Sequence, residues 1–471
     1  EMNRIILTVF FIFVADAFYG QETFIKTFGG DYYDFANDMI INRDGHYVIT
    51  GCISDSNTVT NEILRHCCLM EIDENGDIIW QKTYFEDYFS QGTSVEQLND
   101  GGYIIGCYKY LGEDPIPKTC LIRTNAFGDT IWTKTYFSIE NSVKVIVKQT
   151  VDNGFVFAGT KDGSSFCCGI ICLIKTDEYG NVLWETTSAP TDVYNETVSM
   201  LYTSNNEFLV MGLSYCQGYI CAFLIKYSSE GEVIWTQIFS EYEVDISGRK
   251  MIENNNSGFV IFGSVFNYIT YNSIPFLMKI DENGNEVWTK EFNIPTASDG
   301  GISVVNTTDG GFLIACSGED FYLIKTNNTG DVQWTNVAAY IHNIYITSVL
   351  QTNDQGYVFA GKTNEMISNH SISDILLIKT DMYGELGLEE VDNNNDAVYP
   401  NPNSGLFYIK PEETPEKIAL FNSLGQCIYS CNSFEEGNLI RVDVQKAVSG
   451  IYYLRLTTPN GIKTGKVLIN N

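Results

Sequence analysis

Basic residues are scarce in this chain: 28 Lys and Arg stand against 59 Asp and Glu over 471 residues, a formal net charge of −31. That balance argues against a nucleic-acid partner, because a phosphate backbone is held by basic patches. Histidine is scarcer still. His46, His66, His342 and His370 are the whole set, scattered along the chain with no HExxH-like spacing, so no metal cluster is expected. There is no G-x-S-x-G elbow and no Walker loop. The one long apolar run, Ile5–Val14, is ten residues. It is too short to cross a ~30 Å hydrocarbon core as a helix. With Arg4 before it and Ala15-Asp16-Ala17 after it, the run reads as a signal peptide over residues 1–20. No amphipathic helix fits between the apolar segments that follow, which removes parallel βα architectures.

What is abundant points to an all-β fold. Aromatics make up 13% of the chain, with 29 Tyr, 28 Phe and 40 Gly, a composition suited to pleated, half-buried strands and tight turns. Trp80, Trp132, Trp184, Trp235, Trp288 and Trp334 are spaced by 52, 52, 51, 53 and 46 residues, and each follows a Gly by four positions. An apolar phrase precedes each Gly, as in Leu173-Ile174-Lys175-Thr176-Asp177. A second phrase interleaves with it: Asp100-Gly101-Gly102-Tyr103 and Asp309-Gly310-Gly311-Phe312 are examples, each leading into an apolar strand. Asp-Gly and Asn-Gly between apolar runs are hairpin signals, since both residues tolerate positive φ. Each unit therefore holds four antiparallel strands, A to D, with Trp on D. Such a repeat is one propeller blade.

Seven copies occur. In the seventh, Leu388 stands where Trp is expected, and the missing strand lies at the other end of the chain. Phe24-Ile25-Lys26-Thr27-Phe28 matches Trp80-Gln81-Lys82-Thr83-Tyr84, so an N-terminal strand is expected to complete the last blade and close the ring. The predicted fold is a seven-bladed β-propeller over residues 21–388, followed by a polar linker at 389–397. The recurrent Trp reads as an aromatic wedge between blades.

Residues 398–471 break the repeat. Short alternating strands with turns every 8 to 15 residues predict a small immunoglobulin-like β-sandwich. The phrases are Tyr399-Pro400-Asn401-Pro402, Gly405-Leu406-Phe407, Leu424-Gly425, Gly450-Ile451-Tyr452 and Gly465-Lys466-Val467-Leu468-Ile469. In identity and order they closely resemble the type A sorting domain of type IX secretion substrates from Bacteroidota. The resemblance implies export through the periplasm and the type IX machinery, to the medium or to attachment on surface lipopolysaccharide. Its matching residues are recognition and folding elements, not catalytic ones.

No catalytic set is identified. Sialidase Asp-boxes place Trp three residues after Gly, not four. Quinoprotein dehydrogenases do share Gly-x-x-x-Trp, but they normally have eight blades. The expected function is non-catalytic binding of a glycan, a protein or an envelope component; the alternative is a secreted hydrolase or dehydrogenase using the central channel. In a propeller the D–A and B–C connections share one rim, and here they are the variable parts of the repeat. Candidate ligand residues on them are Tyr32, Tyr33, Asp34, Asp87, Tyr88, Tyr194, Tyr242 and Tyr268. Aromatic faces beside carboxylates suit sugar rings, and the carboxylates offer ligands of the type calcium takes; no other cofactor is expected.

Thirteen cysteines in an exported chain permit disulfides, and the odd count leaves at least one unpaired. Cys107 follows the Gly that ends one strand B, and Cys120 occupies the neighbouring strand C. Cys52 stands likewise beside Cys67 and Cys68. The pairs Cys107–Cys120 and Cys52 with Cys67 or Cys68 are thus within bridging reach, the alternative being small buried hydrophobes.

Overall fold

The computed structural model describes residues 23–469 apart from 31, 57–62, 87–88, 113–115, 139–143, 162–168, 192–193, 242, 255–257, 269–271, 295–300, 318–320, 340–343, 364, 368–369, 387–396, 400–403, 411–414, 416, 423–426, 432–438, 445, 449 and 459–460. The segment expected to be a signal peptide, most of the expected linker, and Asp87, Tyr88, Tyr242, Pro400, Asn401, Pro402, Leu424 and Gly425 lie outside these residues.

Seven four-stranded antiparallel sheets make up the repeat region, with strands A to D in chain order within the first six. Blade 1 consists of Phe35–Ile41, Tyr47–Ser56, Ile63–Ile72 and Ile78–Tyr84. Blade 2 is Ser90–Gln97, Tyr103–Lys109, Lys118–Thr124 and Thr130–Ser138. Blade 3 begins at Ile146–Gln149, blade 4 at Asn195–Tyr202, blade 5 at Val244–Glu253 and blade 6 at Gly301–Asn306. Blade 7 takes Ile344–Gln351, Tyr357–Thr363 and Ile375–Thr380 from its own repeat, and its fourth strand is Phe24–Phe28, paired antiparallel with Ile375–Lys379. Neighbouring A strands touch in ring order, and the A strand of blade 7 meets that of blade 1. There the Thr347 hydroxyl donates to the Ala36 carbonyl at 3.0 Å. The equivalent residues of blades 1 and 2, Asn37 and Thr93, donate to Gly92 and Val145, each at 2.7 Å.

The apolar core of this ring is divided into layers between blades. Strands B and C are buried on both faces, so they read as continuous apolar runs. Strand D alternates exposed with half-buried positions because only one side meets a neighbour. Its Trp lies against the first aromatic of strand B in the next blade: Trp80 on Tyr103 (6.1 Å between centroids), Trp132 on Phe155 (5.8 Å), Trp184 on Phe208 (6.0 Å). The Gly four residues before each Trp faces the ring of the preceding blade. At Gly128, with φ of 77°, an added Cβ would sit 2.5 Å from Trp80 Cζ3. At the closure Phe24 takes the Trp place, 6.4 Å from Tyr47 and against Gly76. Gly and Trp of the repeat are thus two halves of one contact between blades.

The Leu-Ile-Lys phrase has a second purpose. Its buried cation reaches the turn between strands A and B of the same blade: Lys175 meets Asp152 at 2.8 Å, Lys226 meets Glu207 at 2.8 Å, Lys325 meets Asp309 at 2.8 Å and Lys379 meets Asp354 at 3.0 Å. Arg123 pairs with Asp100 in the same way. The Lys175 ammonium also donates to the Thr176 carbonyl at 2.9 Å, which supplies a second partner to a charge held out of water. In blade 1 the position is Glu71, opposite His46 at 2.7 Å.

The C-terminal segment forms two further sheets. One holds Ala397–Tyr399, Leu406–Lys410 and Ile440–Asp443; the other holds Lys417–Asn422, Cys427–Cys431, Gly450–Thr458 and Gly461–Ile469. Phe407, Ile409 and Val442 from the first face Ile418, Leu420, Leu454 and Val467 from the second in a core of their own, the pattern of a β-sandwich.

Candidate functional site

Four connections per blade divide between two mouths of the ring. The A–B and C–D turns meet at one, here the turn mouth; the D–A and B–C connections meet at the other, the loop mouth. At the turn mouth the last residue of strand A in five blades accepts a hydrogen bond from a backbone N–H in the A–B turn of the preceding blade. Gln97 accepts from Arg43 at 2.9 Å, Gln149 from Asn99 at 3.0 Å, and Gln351 from Thr308 at 2.8 Å. Glu253 accepts from Ser204 at 3.3 Å and the Tyr202 hydroxyl from Val151 at 3.4 Å. The sequence reading did not find this latch.

At the loop mouth the blades differ. On blades 4 and 5, aromatic rings gather around a hairpin between Phe208–Cys216 and Tyr219–Tyr227, the B and C strands of blade 4. Gln217 and Gly218 form its tip at φ of 55° and 92°, the two positive values a tight hairpin turn requires. A Cys216–Cys221 disulfide ties its two arms. Tyr215 lies 6.1 Å from Tyr194, Tyr219 lies 5.6 Å from Tyr268, and Tyr268 lies 5.0 Å from Phe266. Two hydroxyls are tied down by carboxylates: Tyr268 donates to Asp245 at 2.8 Å and Tyr194 to Glu196 at 2.9 Å. Burial first and then the Glu196 carboxylate raise the Tyr194 phenol pKa above its ordinary range, and the bond to Asp245 does so for Tyr268. Asp245 is itself fixed by the Ile220 N–H at 2.6 Å. Tyr215 and Tyr268 remain 47% and 42% exposed. The group is a set of ring faces, oriented from behind and open in front.

A second aromatic group spans blades 7, 1 and 2 and is interleaved with cations. Tyr33 carries Arg65 over its ring at 5.1 Å and Lys362 at 5.5 Å. Arg65 also lies 5.2 Å from the Phe89 ring, and Phe89 stands edge-on to Tyr110 at 5.3 Å.

Of the residues expected on this rim, Tyr33, Tyr194 and Tyr268 join these two groups. Tyr32 is half-buried, and its carbonyl accepts from the Ser373 N–H at 3.4 Å. Asp34 does not face a ligand. It is fully buried and accepts the N–H groups of Gly30 at 2.8 Å and Ser54 at 2.6 Å; burial raises its pKa against the pull of those bonds. It clamps the entry into blade 1. Tyr215 and Tyr219 were not among the residues expected on this rim. Their signal is the Tyr-Cys-Gln-Gly-Tyr-Ile-Cys stretch, a turn flanked by paired Tyr and Cys. Among the described residues no three His, Cys, Asp or Glu side chains come together to hold a metal ion.

The cysteines divide by register. Cys107 and Cys120 are directly opposed on strands B and C of blade 2, with 2.7 Å between their sulfurs. Both are fully buried thiols in the layer between blades 1 and 2, which Cys67 shares. Cys52 is opposed to Cys67, not to Cys68. Cys68 stands across from Gly51 and belongs to the layer toward blade 7. The Cys52–Cys68 bridge is therefore ruled out, because successive residues of a strand point to opposite faces. Burial pushes the Cys52 thiol up to about 12 and the Cys107 thiol well above its ordinary range, which disfavours the thiolate at both.

In the C-terminal sandwich, Tyr399 lies on the first strand and Gly405 at φ of 83°, its carbonyl accepting from Val444 at 2.6 Å. Phe407, Tyr452 and Val467 are buried in the core, and the Tyr452 hydroxyl donates to Val448 at 2.7 Å. Gly450 and Ile451 open one strand, and Gly465 and Lys466 lie on the next.

Residues 397–470 match the family of secretion system C-terminal sorting domains. This stretch is a type IX sorting domain, and the protein's destination is the outer cell surface or the medium. No curated protein matches the chain at a significant level. Among solved structures, YCF48 from Cyanidioschyzon merolae is 10% identical with a TM-score of 0.44, over 75% of this chain and 98% of that one. The β-propeller domain of the Trilobed protease from Pyrococcus furiosus is 10% identical with a TM-score of 0.46, over 75% and 96%. Drosophila Semaphorin 1a, extracellular domains 1–2, is 9% identical with a TM-score of 0.48, over 90% and 98%. Likeness this distant bears on no function.

Proposed function

We propose that the chain is an exported, non-catalytic glycan-binding propeller and that the loop mouth is its binding face. The observation that carries this reading is the platform on blades 4 and 5. Tyr215 and Tyr268 are exposed, yet their neighbours are fixed by Asp245, by Glu196 and by the Cys216–Cys221 bridge. Rings held in place lose little freedom when a ligand arrives. Their faces offer stacking surface to sugar C–H groups, and the adjoining carboxylates accept hydroxyl hydrogen bonds. Aromatics serving only to fill the loops would be turned inward, as Tyr108 is.

A glycan array on the purified protein, followed by titration of the best ligand, tests this. Tyr215→Ala and Tyr268→Ala are each expected to weaken binding about tenfold, equivalent to ~1.4 kcal/mol, with the melting temperature nearly unchanged. No glycan bound by the wild type, or a large fall in melting temperature for both variants, rejects the reading.

A further inference from the structure

The second aromatic group has an electrostatic property that the first lacks. Several lysines of this acidic protein are taken up by carboxylates: Lys26, Lys82 and Lys290 on D strands and Lys161 at the end of a B strand pair with Asp77, Asp129, Asp331 and Glu185 at 2.8–3.3 Å. Acidic residues outnumber basic ones by 59 to 28. Arg65, Lys109 and Lys362 nonetheless have no carboxylate within ion-pair distance among the described residues. Each lies over aromatic rings instead. Arg65 is shared by Tyr33 and Phe89, Lys109 sits 4.1 Å from the Phe85 centroid, and Lys362 sits 5.5–5.9 Å from Tyr33, Phe35 and Tyr345.

The placement is also clustered. Lys362 ends strand B of blade 7, Arg65 opens strand C of blade 1, and Lys109 ends strand B of blade 2. All three therefore stand at the loop mouth on consecutive blades, and all three are half-buried. A ring face attracts a cation but leaves its N–H donors unmatched by any anion. A guanidinium flanked by two rings keeps its in-plane fork for a carboxylate.

We infer that the loop mouth over blades 7, 1 and 2 binds a polysaccharide of uronic acids, with the sugar carboxylates on Arg65, Lys109 and Lys362 and the sugar rings on the adjoining aromatic faces. Three cations on three neighbouring blades suit a polymer, whose repeated charges engage several of them at once. This rests on the loop mouth being the glycan-binding face, but it uses residues separate from the Tyr215–Tyr268 platform.

The test is titration of the full-length protein with polygalacturonate, dextran and dextran sulfate at low and at moderate salt. Polygalacturonate is expected to bind, dextran not at this site, and dextran sulfate more weakly. Affinity for polygalacturonate falls as salt rises. Arg65→Gln and Lys362→Gln each lower it about tenfold, and Tyr215→Ala leaves it unchanged. Should Arg65→Gln fail to fold, Lys109→Gln, which sits over a single ring, reads the same property. Absence of polygalacturonate binding, equal or tighter binding of dextran sulfate, or undiminished affinity in Lys362→Gln and Lys109→Gln overturns the inference. Neutral glycans lost in Tyr215→Ala alongside any of those results would leave the platform standing and remove only the acidic site.

Discussion

At the turn mouth the same contact is met again and again: an acceptor at the end of strand A holds a turn N–H of the blade before it, from Gln97 on Arg43 round to Gln351 on Thr308. At the loop mouth the contacts change from blade to blade. Blades 4 and 5 place tyrosines against carboxylates, whereas blades 7, 1 and 2 place aromatics against cations. Both mouths are built by the same strands, and both have backbone to satisfy. The difference lies in what each surface must match. Turns of fixed length must fit a neighbouring blade, so one solution is repeated. Connections of variable length face the surroundings, and nothing in the ring constrains their side chains. The position of a residue on one mouth or the other therefore forecasts the kind of damage its loss does.

The largest expected contrast sets Trp132→Ala against Tyr215→Ala. Trp132 fills the layer between blades 2 and 3 against Phe155, and its removal is expected to cost about 3–5 kcal/mol. Tyr215 is exposed at the loop mouth, and its removal is expected to stay within about 0.5 kcal/mol. Denaturant titration of both variants measures the difference. Equal losses would show that the loop mouth belongs to the structural frame, and the division between mouths would fail.

The frame was legible in the sequence to the extent that its residues repeat by identity. Trp after Gly at constant spacing, and Phe24-Ile25-Lys26 in the place of Trp80-Gln81-Lys82, sufficed for the blade and for its closing strand. The partnership of Lys175 with Asp152 was present in the same phrases, but pattern alone does not say that two ends of one blade meet. The latch was illegible for a different reason. Its residues are Gln97, Gln149 and Gln351, but also Tyr202 and Glu253, which share with Gln only an acceptor oxygen, so identity alone does not mark the position. Asp34 misled because a carboxylate in an acidic, aromatic loop looks solvent-facing; two backbone N–H groups pull it inside instead. Cys68 misled because one residue of register decides which face a strand residue takes.

A smaller effect separates two glycines at nearly the same backbone angle. Gly128 has φ of 77° and Gly310 φ of 83°. A Cβ on Gly310 would meet nothing within 4 Å, whereas one on Gly128 would lie 2.5 Å from Trp80 Cζ3 and 2.9 Å from Lys82 Cγ. Gly310→Ala is expected to cost the left-handed strain alone, about 1–2 kcal/mol. Gly128→Ala carries the same strain and must also move the ring of the preceding blade, so its loss is expected to exceed the other by at least about 1 kcal/mol. Equal melting curves would mean that the Gly of the repeat serves its turn only, not the contact between blades.

The smallest effect tests the latch itself. Gln97 accepts from the Arg43 N–H at 2.9 Å and donates more weakly to the Gly101 carbonyl at 3.4 Å. Gln97→Ala removes the acceptor while leaving the turn able to reach water, so about 1 kcal/mol is expected, the ordinary net value of one hydrogen bond. Gln97→Glu keeps an acceptor oxygen, as Glu253 does for Ser204 on another blade. It should recover most of that loss near neutral pH. Its recovery should also depend on pH, which the wild-type contact does not. A carboxylate that accepts a backbone N–H is favoured in its charged form, so its folded pKa lies below the unfolded value of about 4.3. The added stability is then complete above that value and lost as pH falls through the folded pKa. Melting Gln97→Ala and Gln97→Glu side by side at neutral pH and in mild acid separates the acceptor from the bulk of the side chain. If Gln97→Glu is no better than Gln97→Ala at neutral pH, the contact to Arg43 contributes nothing, and the regularity of the turn mouth is geometric without being energetic.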